Sequence, residues 1–183
     1  MEPDKNILSL LVHKAVKGNP LAQSQLYQQF SKAMFNICTR MMGSNSLAED
    51  VLQEAFIIAF NKLSQLKEPL QFGGWLKRIV VNECIRKAKQ QIVWQELEEQ
   101  HNQTAEDETT EWWKTINIEM VHQQIKILPN GCRQIFNLFV FENYSHKAIA
   151  SLLGISESTS KTQYHRAKKL LKERIGKQIA LNG

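Results

Sequence analysis

The sequence predicts an all-α protein made of two small helical domains joined by an acidic linker. Apolar residues recur at helical spacing in almost every segment, and no run shows sustained strand alternation followed by turn signals. Each of the four prolines stands at a plausible helix edge, where its missing N–H costs nothing. We expect a first domain over residues 1–91, a linker over 92–115, and a second domain over 116–183 that contains a helix-turn-helix.

Charge is segregated along the 183-residue chain, whose net charge is +5. Residues 1–90 carry 12 basic and 7 acidic side chains, residues 91–120 carry 1 and 8, and residues 121–183 carry 10 and 3. Clustered positive charge is typical of a polyanion partner. Charge placed only for solubility does not explain two basic blocks around an acidic one. The acidic segment also holds Trp112 and Trp113, and we expect one of them to dock on another surface.

Cysteine and histidine spacing argues against a metal centre or an enzyme. The three cysteines are far apart, odd in number and set among apolar neighbours, which predicts buried free thiols in a reducing compartment. No histidine pairs with cysteine or carboxylate at metal spacing, and no phosphate-binding glycine loop is present. We therefore expect no metal, no cofactor and no catalytic residue. The polar N-terminus and the lack of any long apolar run predict a cytoplasmic protein.

The first helices are predicted from residue 6 to residue 42, with a break at Gly18-Asn19-Pro20. The second of them carries apolar residues at helical spacing, which we expect to face the core: Leu21, Leu26, Tyr27, Phe30, Met34 and Ile37.

A third helix is predicted to begin with a capping box formed by Ser46 and Glu49. Its packing side comprises Leu47, Val51, Ala55, Ile58 and Ala59. The opposite side comprises Asp50, Gln53, Glu54 and Asn61, with Ile57 in the middle. A lone exposed isoleucine needs no explanation, but one ringed by polar residues also fits the apolar centre of a partner interface.

A fourth helix is predicted to begin at Trp75, after a flexible start at Gly73-Gly74. One stripe of it carries Trp75, Arg78, Asn82, Arg86 and Lys89. An aromatic ring among cations suits single-stranded nucleic acid, because the ring stacks on bases while the cations follow phosphates. A core tryptophan with a solvated basic edge explains the pattern about equally well.

The C-terminal block is predicted to hold four helices. The first stops at Pro129-Asn130-Gly131, and the second runs from Arg133 to about residue 142. Ser145 is the expected N-cap of the third, Gly154 its stop, and Ser156 the cap of the fourth. A short helix, a tight turn with glycine and a second helix form a helix-turn-helix.

The last helix has two distinct sides. Ser160, Tyr164, Ala167, Leu171 and Ile175 can pack against the core. Ser158, Lys161, Thr162, His165 and Lys169 lie opposite, with Arg166 nearer the edge. Small polar residues followed by cations suit a recognition helix in a DNA major groove. An ordinary amphipathic surface helix is the alternative.

Four segments, in this order, resemble the extracytoplasmic-function sigma factors, the smallest members of the sigma-70 class. GNPLAQSQLYQQF resembles the first conserved region, and LAEDVLQEAFIIAF resembles region 2.2, which binds core RNA polymerase. FGGWLKRIVVNECIRKA resembles regions 2.3 and 2.4, which melt and recognise the minus-ten element. The segment from LPNGCRQIF to YHRAKKLL resembles region 4, which recognises the minus-thirty-five element.

The resemblance implies a sigma factor that binds core RNA polymerase, duplex promoter DNA and the single non-template strand, with an anti-sigma protein, often membrane-anchored, as a further partner. It assigns Asp50, Gln53, Glu54 and Ile57 to polymerase binding. Trp75, Ile79 and Asn82 match its minus-ten pattern, and Thr159, Lys161, Arg166 and Ala167 match its recognition-helix pattern. Combined with the exposed stripe of the fourth helix, this gives the expected minus-ten contacts: Phe72, Trp75, Arg78, Asn82, Arg86 and Lys89. Combined with the polar side of the last helix, it gives the expected minus-thirty-five contacts: Ser158, Thr159, Lys161, Thr162, His165, Arg166 and Lys169.

Some residues depart from the family pattern. Ser160 replaces an apolar residue, so we expect a more loosely packed turn. Gln163 replaces a common arginine, so we expect an altered phosphate contact. Arg86 stands where many members have aspartate. A stand-alone helix-turn-helix repressor or activator remains the alternative function, and it would need a ligand pocket or a dimerisation helix within residues 1–90.

Overall fold

The structure is a computed structural model that describes residues 5–91 and 118–182, and within these ranges it contains helices and no strand. The chain divides into two compact units, Met1–Lys87 and Ala88–Gly183. The linker expected over 92–115, with Trp112 and Trp113, lies outside the described residues. The α-helices are α1 Lys5–Val16, α2 Pro20–Met42, α3 Asn45–Asn61, α4 Phe72–Gln91, α5 Ile118–Lys126, α6 Asn130–Val140, α7 His146–Leu153 and α8 Glu157–Asn182.

The break between α1 and α2 lies where the sequence predicts it. Gly18 has a left-handed backbone with φ 79°, which favours glycine. The side chain of Asn19 accepts a hydrogen bond from the Ala22 N–H at 2.9 Å, and Pro20 begins the helix.

The core face expected for α2 is only partly correct. Leu26, Met34 and Ile37 are buried, but Leu21 is 69% exposed. The buried side of the first turns of α2 carries Ala22 and Leu26, and Leu21 lies off that side. Tyr27 keeps its ring 4.7 Å from that of Phe56 on α3 and stays partly exposed.

The capping box expected for α3 is wrong. The helix begins at Asn45, Ser44 is its N-cap without a side-chain cap bond, and Ser46 therefore lies inside the first turn. The buried stripe is also wider than expected, because Leu52 and Phe56 join Val51 in the core.

The start of α4 is a packed turn and not a flexible one. Short 3-10 helices at Leu63–Gln65 and Pro69–Gln71 lead directly into α4, which begins at Phe72, three residues earlier than expected. Phe72 is fully buried, with its ring 5.1 Å from that of Phe30 on α2. A Cβ atom on Gly73 would lie 2.9 Å from a carbon of the Phe30 ring, whereas one on Gly74 would meet nothing within 4 Å. Gly73 thus permits the close approach of α4 to α2.

The turn between α5 and α6 is shorter than expected, because Asn130 and Gly131 already belong to α6. The guanidinium of Arg133, a residue only 7% exposed, donates hydrogen bonds to the carbonyls of Lys126 at 3.0 Å and Leu128 at 2.8 Å. It also donates to the side chain of Asn130. These bonds satisfy carbonyl groups that the end of α5 leaves without helical partners.

The helix-turn-helix formed by α7 and α8 confirms all three expected caps. Ser145 Oγ accepts from the Ala148 N–H at 3.2 Å, and Ser156 Oγ accepts from the Thr159 N–H at 3.0 Å. Gly154 ends α7 with φ 71°. The expected packing side of α8 is confirmed as buried: Ser160, Tyr164, Ala167, Leu171 and Ile175.

Replacing the two adjacent glycines of α4 tests the contact with Phe30. Gly74→Ala should be neutral or stabilising, because alanine has a higher helix propensity by about 1 kcal/mol. Gly73→Ala gains the same propensity but must displace the Phe30 ring, and overpacking of this kind costs about 1–3 kcal/mol. We expect Gly73→Ala to be the less stable variant by about 1–3 kcal/mol in urea unfolding followed by circular dichroism. Equal stability of the two variants would contradict the packing role of Gly73.

Candidate functional site

The polar side of α3 is exposed as the sequence predicts. Asp50 and Gln53 are exposed, Glu54 is partly exposed, and Ile57 is 61% exposed between them. We call these four residues the α3 face. An apolar side chain within a polar ring has the composition of a small interface with an apolar centre.

The stripe expected on α4 also faces solvent. Arg78, Asn82, Arg86 and Lys89 are exposed. Together with Trp75 we call these residues the α4 stripe. Trp75 is partly buried, with its ring 6.1 Å from that of Phe72, so it belongs wholly to neither the core nor the surface.

The assignment of Phe72 to the minus-ten contacts is wrong for this structure. Its side chain is fully buried between the rings of Phe30 and Trp75 and offers no surface to a ligand. Phe72 instead supports the position of Trp75. In the sequence, an aromatic residue three positions before Trp75 fits a DNA contact and a buried support for Trp75 equally well.

Arg86 joins the α4 stripe to the α3 face. Its Nη2 forms an ion pair with Oε2 of Glu54 on α3, and its Nε donates to Oε2 of Glu83 at 2.7 Å. The hydrogen bond and the charge of Glu83, followed by a contribution from Glu54, raise the pKa of Arg86 above its usual value. Sequence reasoning missed Glu83, although its i,i+3 spacing from Arg86 was a usable signal. The pairing with Glu54 had no such signal, because the residues lie 32 positions apart.

The exposed side of α8, which we call the α8 face, also lies as expected. Ser158, Lys161, Thr162, His165, Arg166 and Lys169 are exposed, and Thr159 is partly buried.

Several groups on the α8 face already have partners near the start of the helix. The Ser156 hydroxyl lies 2.9 Å from Ser158 Oγ and 2.8 Å from Thr159 Oγ1. Lys161 Nζ pairs with Glu157 Oε1 at 2.8 Å, and this hydrogen bond lowers the pKa of Glu157.

Two polar pairs lie beneath the α8 face. His146 Nδ1 and Ser160 Oγ share a hydrogen bond of 2.9 Å, and the His146 ring is stacked on Phe139 at 4.4 Å. The Cys132 thiol donates to Gln163 Oε1 at 3.0 Å.

These pairs bear on two expectations. The loose packing expected at Ser160 is wrong, because Ser160 is fully buried on α8 and hydrogen-bonded to His146. Gln163 is 8% exposed and accepts its hydrogen bond inside the core, so it does not take the place of an arginine that contacts phosphate, and the altered phosphate contact stays a prediction. Cys38, Cys84 and Cys132 are buried free thiols, as expected.

Among residues 5–91 and 118–182, no group of three or more histidine, cysteine or acidic side chains could hold a metal ion. Within the same described ranges, no helix combines the length and the apolar character that crossing a membrane requires.

Comparisons with known proteins match both units. A family model described as Sigma-70 region 2 matches residues 26–91, and one described as Sigma-70, region 4 matches residues 118–171. Together these matches span 120 of the 183 residues.

Full-length relatives are similar over most of their length. The ECF RNA polymerase sigma factor SigW of Bacillus subtilis is 26% identical over 176 residues, which are 90% of this chain and 94% of the relative. The RNA polymerase sigma-H factor of Pseudomonas aeruginosa is 28% identical over 177 residues, 88% of this chain and 90% of the relative. Among solved structures, CnrH in complex with the cytosolic domain of CnrY is similar with a TM-score of 0.47 and 18% identity, over 93% of this chain and 97% of that one.

The partly buried His146 predicts a pH dependence of stability. Burial, followed by the charges of Lys161 and His165, lowers the pKa of His146 below its usual 6.5. The unfolded chain therefore binds a proton more readily than the folded one. The contribution of neutral His146 to the free energy of unfolding is complete above about pH 6.5 and is lost as the pH falls below that value.

His146→Gln should reduce this pH dependence, because glutamine has hydrogen-bonding groups but no charge to gain. The measurement is the free energy of unfolding in urea at pH 7.5 and pH 5.5 for both proteins. Other histidines are common to the two proteins and cancel in the comparison. An equal loss of stability in both proteins would show that His146 does not carry the effect.

Proposed function

The chain belongs to the sigma-70 family of bacterial RNA polymerase sigma factors, in the extracytoplasmic-function group, and on this premise we propose that it binds core RNA polymerase and selects promoters through three surfaces. The observation that carries the proposal is a match in both position and chemistry. The region 2 match includes the α3 face and the α4 stripe, and the region 4 match includes the α8 face.

We assign the α3 face to polymerase. Ile57 supplies an exposed apolar centre, and Asp50, Gln53 and Glu54 supply the polar rim. Such a rim excludes water from the centre and sets the charge of a complementary partner. Since two of the three rim residues are acidic, the partner surface should be basic.

We assign the α4 stripe to the non-template strand of the minus-ten element. Trp75 offers part of its ring for stacking, while Arg78 and Lys89 offer charge to phosphates and Asn82 offers a side-chain amide to base edges. Phe72 contributes by packing behind Trp75.

We assign the α8 face to the major groove of the minus-thirty-five element. Ser158, Thr159 and Thr162 are near the start of the helix, where recognition helices contact base edges. Lys161, Arg166 and Lys169 suit phosphates, and His165 lies between them. With a first domain over 1–91, a second over 116–183 and a tether over 92–115, each DNA contact raises the effective concentration of the other.

The proposal leaves RNA synthesis to the polymerase, so the chain needs no catalytic residue and no cofactor. Its place of action is that of the polymerase, the cytoplasm. The family resemblance also implies an anti-sigma protein as a partner.

Mixing the purified protein with core RNA polymerase tests the proposal as a whole. We expect a stable complex that starts RNA at a defined site on a promoter fragment, measured by gel filtration and by in vitro transcription. Tight duplex binding by the protein alone, without a polymerase complex, would instead support a repressor or activator.

Two surface variants separate the functions of the two units. Arg166→Ala should weaken binding of the holoenzyme to the upstream duplex and lower the salt dependence by about one phosphate contact, with polymerase affinity unchanged. Ile57→Ala is the reciprocal variant and should weaken polymerase binding while duplex binding by the free protein is kept. Binding measured by fluorescence anisotropy over a range of salt concentrations checks both. Loss of both activities in either variant would contradict the assignment.

A further inference from the structure

We propose that the Arg86–Glu54 ion pair is a switch between the α3 face and the α4 stripe. In the free protein Arg86 forms an ion pair with Glu54. When polymerase binds Glu54, this ion pair breaks and Arg86 becomes available to promoter DNA. Arg86 is then a positioning residue before polymerase binds and a DNA contact only afterwards. This inference rests on the proposed function.

The geometry makes Arg86 a bridge between two helices. A guanidinium has several hydrogen-bond donors in a rigid planar arrangement. Here Nη2 donates to Glu54 on α3, while Nε donates to Glu83 on α4. The side chain of Glu83 is only 12% exposed, so it is a firm anchor within the same helix. Those of Arg86 and Glu54 are 47% and 42% exposed, so that end of the bridge is open to solvent and to a partner.

Arg86 and a basic group of polymerase cannot both bind Glu54 favourably, because both are positively charged. A basic group of polymerase that approaches the Glu54 carboxylate meets the Arg86 guanidinium already in contact with it. Like charges at that distance repel, so the partner binds more favourably when Arg86 turns away. Exchange is possible because half-exposed ion pairs contribute little to stability.

Release directs Arg86 along the α4 stripe. The guanidinium keeps its bond to Glu83. Arg86 follows Asn82 and precedes Lys89 along the exposed stripe, so a phosphate oxygen there can replace the Glu54 carboxylate. Because binding effects are reciprocal, DNA that binds Arg86 also leaves Glu54 available to polymerase.

A double-mutant cycle tests the switch in the full-length protein. The measured quantity is the Kd for core RNA polymerase, without DNA, of wild type, Arg86→Gln, Glu54→Gln and the double variant. Arg86→Gln removes the competitor, so we expect binding about two- to fivefold tighter than wild type. In the Glu54→Gln background the same substitution should have no effect. Lys32→Gln, which removes an exposed charge from α2, is the control and should bind as wild type.

A DNA readout tests the second half of the switch. Arg86→Gln should weaken binding of single-stranded minus-ten DNA by the polymerase complex more than binding by the free protein, in which Arg86 is already occupied. Equal weakening in both states would show that Arg86 contacts DNA without release.

The outcomes distinguish this inference from the proposed function. Failure of wild type to bind polymerase overturns both. If wild type binds polymerase, the proposed function stands and only the switch is tested by Arg86→Gln. The switch is overturned if this substitution leaves polymerase affinity unchanged, weakens it, or tightens it equally in the two Glu54 backgrounds.

Discussion

The burial of one stripe of α8 determines which side chains of this helix the C-terminal unit presents to solvent. Ser160, Tyr164, Ala167, Leu171 and Ile175 pack inward, and a rigid helix then directs the opposite side outward. Hydrophobic burial supplies the driving force, while the left-handed Gly154 and the Ser156 cap set where α8 begins. The exposure of the α8 face is therefore a consequence of core packing.

The N-terminal unit follows the same logic with a tighter constraint. The Phe30 ring lies against Phe72 and leaves room only for a hydrogen atom at Gly73, so α4 approaches α2 closely at its first turn. In the same helix the Trp75 ring lies 6.1 Å from that of Phe72, and Arg86 pairs with Glu54 on α3. This ion pair joins the α3 face to the α4 stripe.

Polar residues inside the C-terminal core show what family patterns alone do not reveal. Gln163 stands in place of a common arginine, and its side chain accepts a hydrogen bond from the buried Cys132 thiol. Ser160 suggested loose packing, yet it is paired with His146. Buried polar groups are tolerated when each finds a partner, and the partner is usually distant in sequence.

The sequence by itself determined the helical class, the break at Gly18-Asn19-Pro20, the caps of the helix-turn-helix and the exposed sides of α3, α4 and α8. These features depend on residues within one or two helical turns, where spacing and capping chemistry act locally. Only the tertiary structure decided that Phe72 is buried, that Gly73 is a packing glycine and that Arg86 reaches Glu54. Each of these depends on how closely two helices approach, and that distance results from side chains on both of them, far apart in the chain.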